Sequence, residues 1–190
     1  LNLRGSDIQC TPLFISYLYL NRKGSTLFVH LQKVSNEVKD YLKALGIEVR
    51  PYEEAAESPL RNTLSSNPIQ LMKSIKNPTE IEGFRAAMLK DGIALTRFYH
   101  WLEGELKRCA DGSGSAITEM DCVQKLIDFR SEHPLYRQES FPAIVAWNEH
   151  GAMPHYEPSH DTETEISGDG LLLIDTGGQY LDGTTDITRT

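Results

Sequence analysis

Leu172-Leu173-Ile174-Asp175-Thr176-Gly177-Gly178-Gln179-Tyr180-Leu181-Asp182-Gly183-Thr184-Thr185-Asp186 joins an aliphatic run, a glycine-rich turn and two acids eleven residues apart. The run from Leu171 predicts a buried strand that delivers Asp175 at its end. A hairpin folded around Tyr180-Leu181 would set Asp175 directly opposite Asp186. Facing residues of a hairpin have Cβ atoms about 4.5–5.5 Å apart and share a face. Two like charges there repel unless something positive lies between them. A divalent cation is the simplest remedy, because carboxylates are its natural ligands. The alternative is that one or both acids only cap turns, and spacing alone leaves this open. Asp182-Gly183 reads as turn chemistry alone.

Outward from this stretch, Phe141–Ala146 predicts another strand and Ile187 with its neighbours a third. Because the chain stops at Thr190, within what reads as a strand, a truncated chain is expected. Upstream, Thr118 is positioned to open a helix with Met120, Val123, Ile127 and Arg130 on one side. Before it, Thr79 and Glu82 have the spacing of a capping box. Residues 81, 84, 88, 92, 95, 99, 102 and 106 then form an apolar or small stripe, read as core, that stops at Ala110-Asp111-Gly112.

The first part has a different rhythm. Leu13–Leu20 and Ser25–His30 are β-rich around the turn Asn21-Arg22-Lys23-Gly24, which predicts a hairpin. Val34, Val38, Tyr41 and Leu42 recur at helical spacing, Gly46 supplies a stop, and Ile47–Arg50 is a third short strand. Residues from about 51 to 73 are rich in proline and serine and suit a linker. The expected organisation is α/β (α+β), with a partial unit over 1–73 and a second over 74–190.

Composition narrows the function. A net charge of −8 argues against a general nucleic-acid binder, which needs a basic face. Apolar runs are too short to span a bilayer, and no signal peptide is visible. Three widely spaced cysteines without a CxxC disfavour a thiolate zinc site and a disulfide scaffold. A reducing cytoplasm is the expectation.

Ile174-Asp175-Thr176-Gly177 followed by Asp186-Ile187-Thr188-Arg189-Thr190 resembles the signature of aminopeptidase P, in the creatinase, prolidase and methionine aminopeptidase superfamily. Lys76–Arg85 resembles the helix that opens the "pita-bread" catalytic domain. Ser140-Phe141-Pro142 and Gly151–Tyr156 resemble the strands before the first aspartate, and Leu1–Asp7 the middle domain of the three-domain type. The resemblance covers essentially the whole chain. It implies the C-terminal part of a creatinase-type α/β domain over 1–73, then the first half of a pita-bread domain over 74–190.

It also implies two divalent metal ions, usually manganese, held by five side chains. Asp175 would be a bidentate ligand and Asp186 the bridging one. The remaining ligands, one His and two Glu, would follow Asp186 and are not in this chain, so these 190 residues alone are expected to be inactive. The implied reaction is hydrolysis by a hydroxide bridging the ions, releasing the residue ahead of a proline at position two. His155 matches an active-site histidine that hydrogen-bonds bound peptide, although a lone His before Tyr is more often structural. Peptide substrates and a homodimer are the implied partners.

His100, His133, His150 and His160 have no motif partner and read as structural. Trp147–His150 departs from the Gly- and Ser-rich loop usual at this place and reads as an exposed variable loop. Arg4 and Asp7 are assigned to an interdomain or dimer surface. Two other classes remain: a prolidase or methionine aminopeptidase, and a non-catalytic peptide-binding relative. Retention of both aspartates speaks against the last. A unit like 1–73 speaks against methionine aminopeptidase, and Asn2–Asp7 favours aminopeptidase P over prolidase.

Overall fold

Residues 3–56 and 68–190 are described by the computed structural model. Two compact units result, Leu1–Ile75 and Lys76–Thr190. No helix among the described residues is long and apolar enough to cross a membrane.

In the first unit, β1 (Ser16–Asn21) and β2 (Gly24–Val29) form the expected hairpin. Asn21 Oδ1 accepts from the amides of Lys23 and Gly24, which fixes the turn locally. Helix α1 (Asn36–Ala44) is capped by Ser35, whose side chain accepts from the Val38 amide. Gly46 follows it at φ +71°, a conformation that favours glycine. Strand β3 (Ile47–Pro51) then returns parallel to β2, giving the order β1-β2-β3.

Leu27, Val29 and Leu42 are the core of this unit, but Tyr41, read as part of the same helical face, is exposed. Asp7 is bonded within the unit, to the Ile15 amide and to Lys33 Nζ. The linker reading of residues 51–73 lies partly outside the described residues. Its described ends fold as a 3-10 turn at Tyr52–Ala56 and a short helix α2 (Pro68–Ser74).

The second unit begins with α3 (Pro78–Ala110). Its cap is Asn77, not Thr79: Asn77 Oδ1 accepts from the Glu80 amide, and Glu80 reaches back to the Asn77 amide. Pro78 at the first helical position explains the shift, since it has no amide to satisfy and its φ is already helical. The buried positions are Ala87, Asp91, Ala94, Leu95, Phe98 and Leu102. The apolar stripe is thus corrected: Ile81, Phe84, Met88 and Tyr99 are exposed, and a charged residue occupies the buried line. Asp91 is tolerated there because Arg130 meets it (below).

Helix α4 (Glu119–Ser131) is capped by Thr118 as expected, with Asp121 closing the box. It buries Glu119, Cys122, Leu126 and Arg130, again a line with two charges in it. The strands that follow are β4 (Tyr136–Glu139), β5 (Ile144–Trp147), β6 (Leu172–Thr176), β7 (Gly178–Tyr180) and β8 (Ile187–Arg189). They pair as β4-β7 and as β5-β6-β8, all antiparallel. Leu95, Phe98, Leu102, Ile117, Leu126, Val145, Trp147, Ile166 and Ile174 form the apolar core between α3, α4 and the β5-β6-β8 sheet.

Candidate metal centre

Strands β6, β7 and β8 are the two arms of one hairpin, and its register places the acids. Tyr180 and Gly183 exchange backbone hydrogen bonds around Leu181-Asp182, at 2.8 and 3.3 Å. From that turn Gln179 faces Thr184, Thr176 faces Ile187, and Asp175 faces Thr188. The turn centre is therefore one residue later than the sequence suggested, and the register differs by two. Asp175 and Asp186 are diagonal neighbours, not a facing pair. A shift of two residues conserves the face, because side chains alternate with period two. Asp175 and Asp186 thus still share one side of the hairpin, at a diagonal spacing of about 7–8 Å between backbones.

The turn moves because of what it packs on. Asp182 pairs with Lys90 of α3. A Cβ on Gly83 would collide with the Asp182 backbone carbonyl, and one on Gly183 would crowd the Gly83 carbonyl oxygen at 3.0 Å. Asp182-Gly183 therefore seats the hairpin tip on α3, which goes beyond turn chemistry. Gly177 marks the point where the arm passes from β6 to β7. Its carbonyl accepts from the Ser140 amide, Ser140 Oγ donates to the Thr185 carbonyl, and a Cβ at 177 would overlap both groups.

On the acid-bearing side, Thr188 Oγ1 donates to Asp175 Oδ1 at 2.8 Å. Asp175 is half-buried and Asp186 exposed. Two carboxylates on one face, both hard oxygen donors, fit a divalent cation of the magnesium, manganese or calcium class. Among the described residues no group of three His, Cys, Asp or Glu side chains is assembled for a metal. His155 therefore does not join the two aspartates as a third ligand.

The opposite side of the hairpin is buried and charged. Arg130 lies wholly inside the unit. Its Nε donates to Asp91 Oδ1 at 2.6 Å and its Nη1 to Glu139 Oε2 at 2.8 Å and Thr176 Oγ1 at 2.7 Å. Asp91 also accepts from Tyr180 OH at 3.0 Å and Thr185 Oγ1 at 2.9 Å. Burial works against the Arg130 charge, but the Asp91 hydrogen bond and the two carboxylates more than offset it, so its pKa is raised. Burial also raises Glu139 above the usual carboxylate range. Sequence periodicity put Arg130 on one side of α4 with Met120, Val123 and Ile127, whereas the buried line is Glu119, Cys122, Leu126 and Arg130; it missed Asp91, which an apolar stripe hides.

His155 sits in the long segment between β5 and β6, exposed, with its backbone in the left-handed region at φ +57°. Such a conformation is uncommon for a residue with a Cβ and concentrates at functional sites. Buried Glu119 holds this segment from below. It accepts from the Trp147 amide at 2.7 Å, Tyr156 OH at 2.6 Å and the Thr164 amide at 3.2 Å, and contacts His150 Nδ1 at 2.9 Å. Burial and this carboxylate push the Tyr156 hydroxyl up to about 12. The structural reading of His150 stands with a partner it lacked in sequence. Trp147–His150 is a tethered segment: Trp147 is buried and Asn148 Oδ1 accepts from the Leu171 amide.

Residues 82–190 match the family model described as metallopeptidase family M24, and residues 1–65 match that of the creatinase/prolidase N-terminal domain. The chain belongs to metallopeptidase family M24. Among curated M24 relatives, Xaa-Pro aminopeptidase 1 of Dictyostelium discoideum is 37% identical, over all of this chain and 34% of its own length. Xaa-Pro aminopeptidase ApepP of Drosophila melanogaster is 34% identical, over all of this chain and 35% of its own. The solved X-prolyl aminopeptidase of Caenorhabditis elegans, described as a cytosolic enzyme with a di-nuclear active site, superposes with a TM-score of 0.86. It is 28% identical, over 98% of this chain and 35% of that one. The M24 chain described above thus spans about a third of the length of the relatives it matches. The fold class expected from sequence, a creatinase-type α/β unit followed by M24 sequence, is the one found.

Proposed function

We propose that the protein carrying this chain is a metal-dependent exopeptidase that removes the N-terminal residue from peptides with proline at position two. The observation that carries this reading is the placement of Asp175 and Asp186 on one face of a single hairpin in an M24 chain. The relatives named as Xaa-Pro aminopeptidases supply the substrate class. In this reading residues 1–73 belong to a creatinase-like middle domain and 74–190 to the first half of the pita-bread catalytic domain.

Asp175 and Asp186 would be ligands of two divalent ions, manganese being our choice. The other ligands, one His and two Glu, are supplied by sequence outside these 190 residues. Bound there, the ions would supply Lewis-acid polarisation of the scissile carbonyl and a water acidic enough to be deprotonated near neutral pH. The chain's own part is positioning. The Thr188 hydroxyl fixes the rotamer of Asp175, and a carboxylate held before the metal arrives loses less entropy on binding. His155 offers an imidazole on an exposed, conformationally pinned segment, suited to hydrogen-bonding a bound peptide. A cytoplasmic homodimer is the form proposed for the whole protein.

The test is the full-length protein loaded with manganese and offered matched peptides with proline or alanine at position two, products being read by mass spectrometry. Release of the first residue only ahead of proline, abolished in Asp186→Ala, is expected. Cleavage of Xaa-Pro dipeptides alone would make it a prolidase. Absence of cleavage in every peptide would leave a peptide-binding relative.

A further inference from the structure

The two aspartates alternate with two threonines. Thr176 follows Asp175 and Thr185 precedes Asp186, so in extended arms the threonines point to the side of the hairpin opposite the acids. Both threonines are about 1% exposed, and both end on one buried ion pair. Thr176 Oγ1 accepts from Arg130 Nη1 at 2.7 Å, and Thr185 Oγ1 donates to Asp91 Oδ2 at 2.9 Å. The arms are thus tied to the two halves of the same Asp91–Arg130 pair, Asp91 from α3 and Arg130 from α4. Tyr180, the residue just before the Leu181-Asp182 turn, is tied to Asp91 as well.

We propose that Asp91 and Arg130 are positioning residues for the metal centre, fixing the separation of Asp175 and Asp186 through Thr176 and Thr185 without touching a ligand. This rests on the metal reading above. A buried apolar contact would hold the arms against the helices but would let them slide. Directional bonds from two hydroxyls to one rigid, bidentate ion pair set the strand register and the spacing of the neighbouring carboxylates together. Breaking the pair itself would leave a buried charge and cost the fold, so the link is better tested at a neutral hydroxyl. Thr185 supplies one next to Asp186, and its Oγ1 also accepts from the Gly178 amide at 2.8 Å, joining the arms there.

Full-length protein is titrated with manganese, with affinity followed by calorimetry and the paramagnetic resonance spectrum of the bound pair recorded. Thermal midpoints are measured on the metal-free forms. Thr185→Val is expected to weaken manganese binding by about 10–100-fold, the range for groups that orient ligands from behind, and to change the spectrum of the pair. Thr185→Ser, which keeps the hydroxyl, should bind manganese more tightly than Thr185→Val and return the spectrum of the pair to that of wild type. Leu126→Val, a core change on α4 remote from both threonines in sequence, should lower the midpoint with affinity and spectrum intact. Wild-type affinity and spectrum in Thr185→Val, whatever its midpoint, would overturn the positioning role while the metal reading stood. Wild-type protein that binds manganese no better than Asp186→Ala would overturn the metal reading itself, and the positioning role with it.

Discussion

Thr188 stands directly across the hairpin from Asp175 and donates its hydroxyl to Asp175 Oδ1 at 2.8 Å. Asp186 lies on the same face, two residues earlier in the same arm. A facing pair of aspartates would have set each carboxylate opposite a like charge. The observed register instead gives Asp175 a neutral donor opposite and places Asp186 on the diagonal, so each carboxylate keeps lone pairs to offer.

Removal of that donor should show in metal binding more than in stability. Thr188 is exposed, so Thr188→Val should change unfolding free energy by no more than about 0.5 kcal/mol. Metal affinity should fall by about tenfold or more, the lower range for a group that orients a ligand. Denaturant midpoints beside a metal titration check both halves, and an unchanged affinity would sink the assignment.

Two glycines in α3 should respond with opposite signs to the same substitution. Gly104 is exposed with nothing near its missing Cβ, so Gly104→Ala should stabilise by up to about 1 kcal/mol. Gly83 lies against the Asp182 carbonyl, so Gly83→Ala should destabilise by about 1–3 kcal/mol as the hairpin tip is pushed off the helix. Thermal unfolding of the two variants decides it. Stabilisation by both would mean that the tip does not sit on α3.

The first unit should carry a specific acid sensitivity. The Ile15 amide and then Lys33 hold Asp7 below its ordinary value of 3.8. A depressed carboxylate contributes stability that is present above the ordinary value and lost as pH falls through the lower, native one. Asp7→Asn should therefore destabilise at neutral pH, with the difference from wild type closing below about pH 3.8. Urea midpoints of both proteins across that range would show it; a constant difference would contradict it.

Cys122 should be silent to thiol reagents while the protein is folded. It is wholly buried, and burial pushes its thiol up to about 12. Since the thiolate is the reactive form, alkylation at pH 8 should leave Cys122 unlabelled until denaturant is added. Peptide mapping by mass spectrometry reads the outcome; rapid native labelling there would show that α4 opens readily.

What was legible in sequence follows from which physical signal each feature leaves. Turn residues, caps and a run of aliphatic residues found the first-unit hairpin, α1, α4 and the strand that delivers Asp175, because each is a local signal. Apolar periodicity fails where a charge is buried. Asp91, Glu119 and Arg130 occupy core lines, and only partners distant in sequence make that tolerable. Strand β4 and its pairing with β7 were missed for a related reason: Tyr136–Glu139 and Gly178–Tyr180 are polar or small and short, and Glu139 and Tyr180 are bonded into the buried Arg130 and Asp91 network. The hairpin register was off by two because it depends on where the tip seats on Gly83, which no local pattern reports. The shared face of the acids was still readable, since an even shift conserves it.

The central claim is that the face carrying Asp175 and Asp186 is a two-metal site. Anomalous scattering at the manganese edge, from crystals of the full-length protein soaked in manganese, tests it most directly. Two peaks are expected, with Asp175 on one and the Asp186 carboxylate between them. Peaks elsewhere only, or none within ligand distance of either aspartate, would contradict the account.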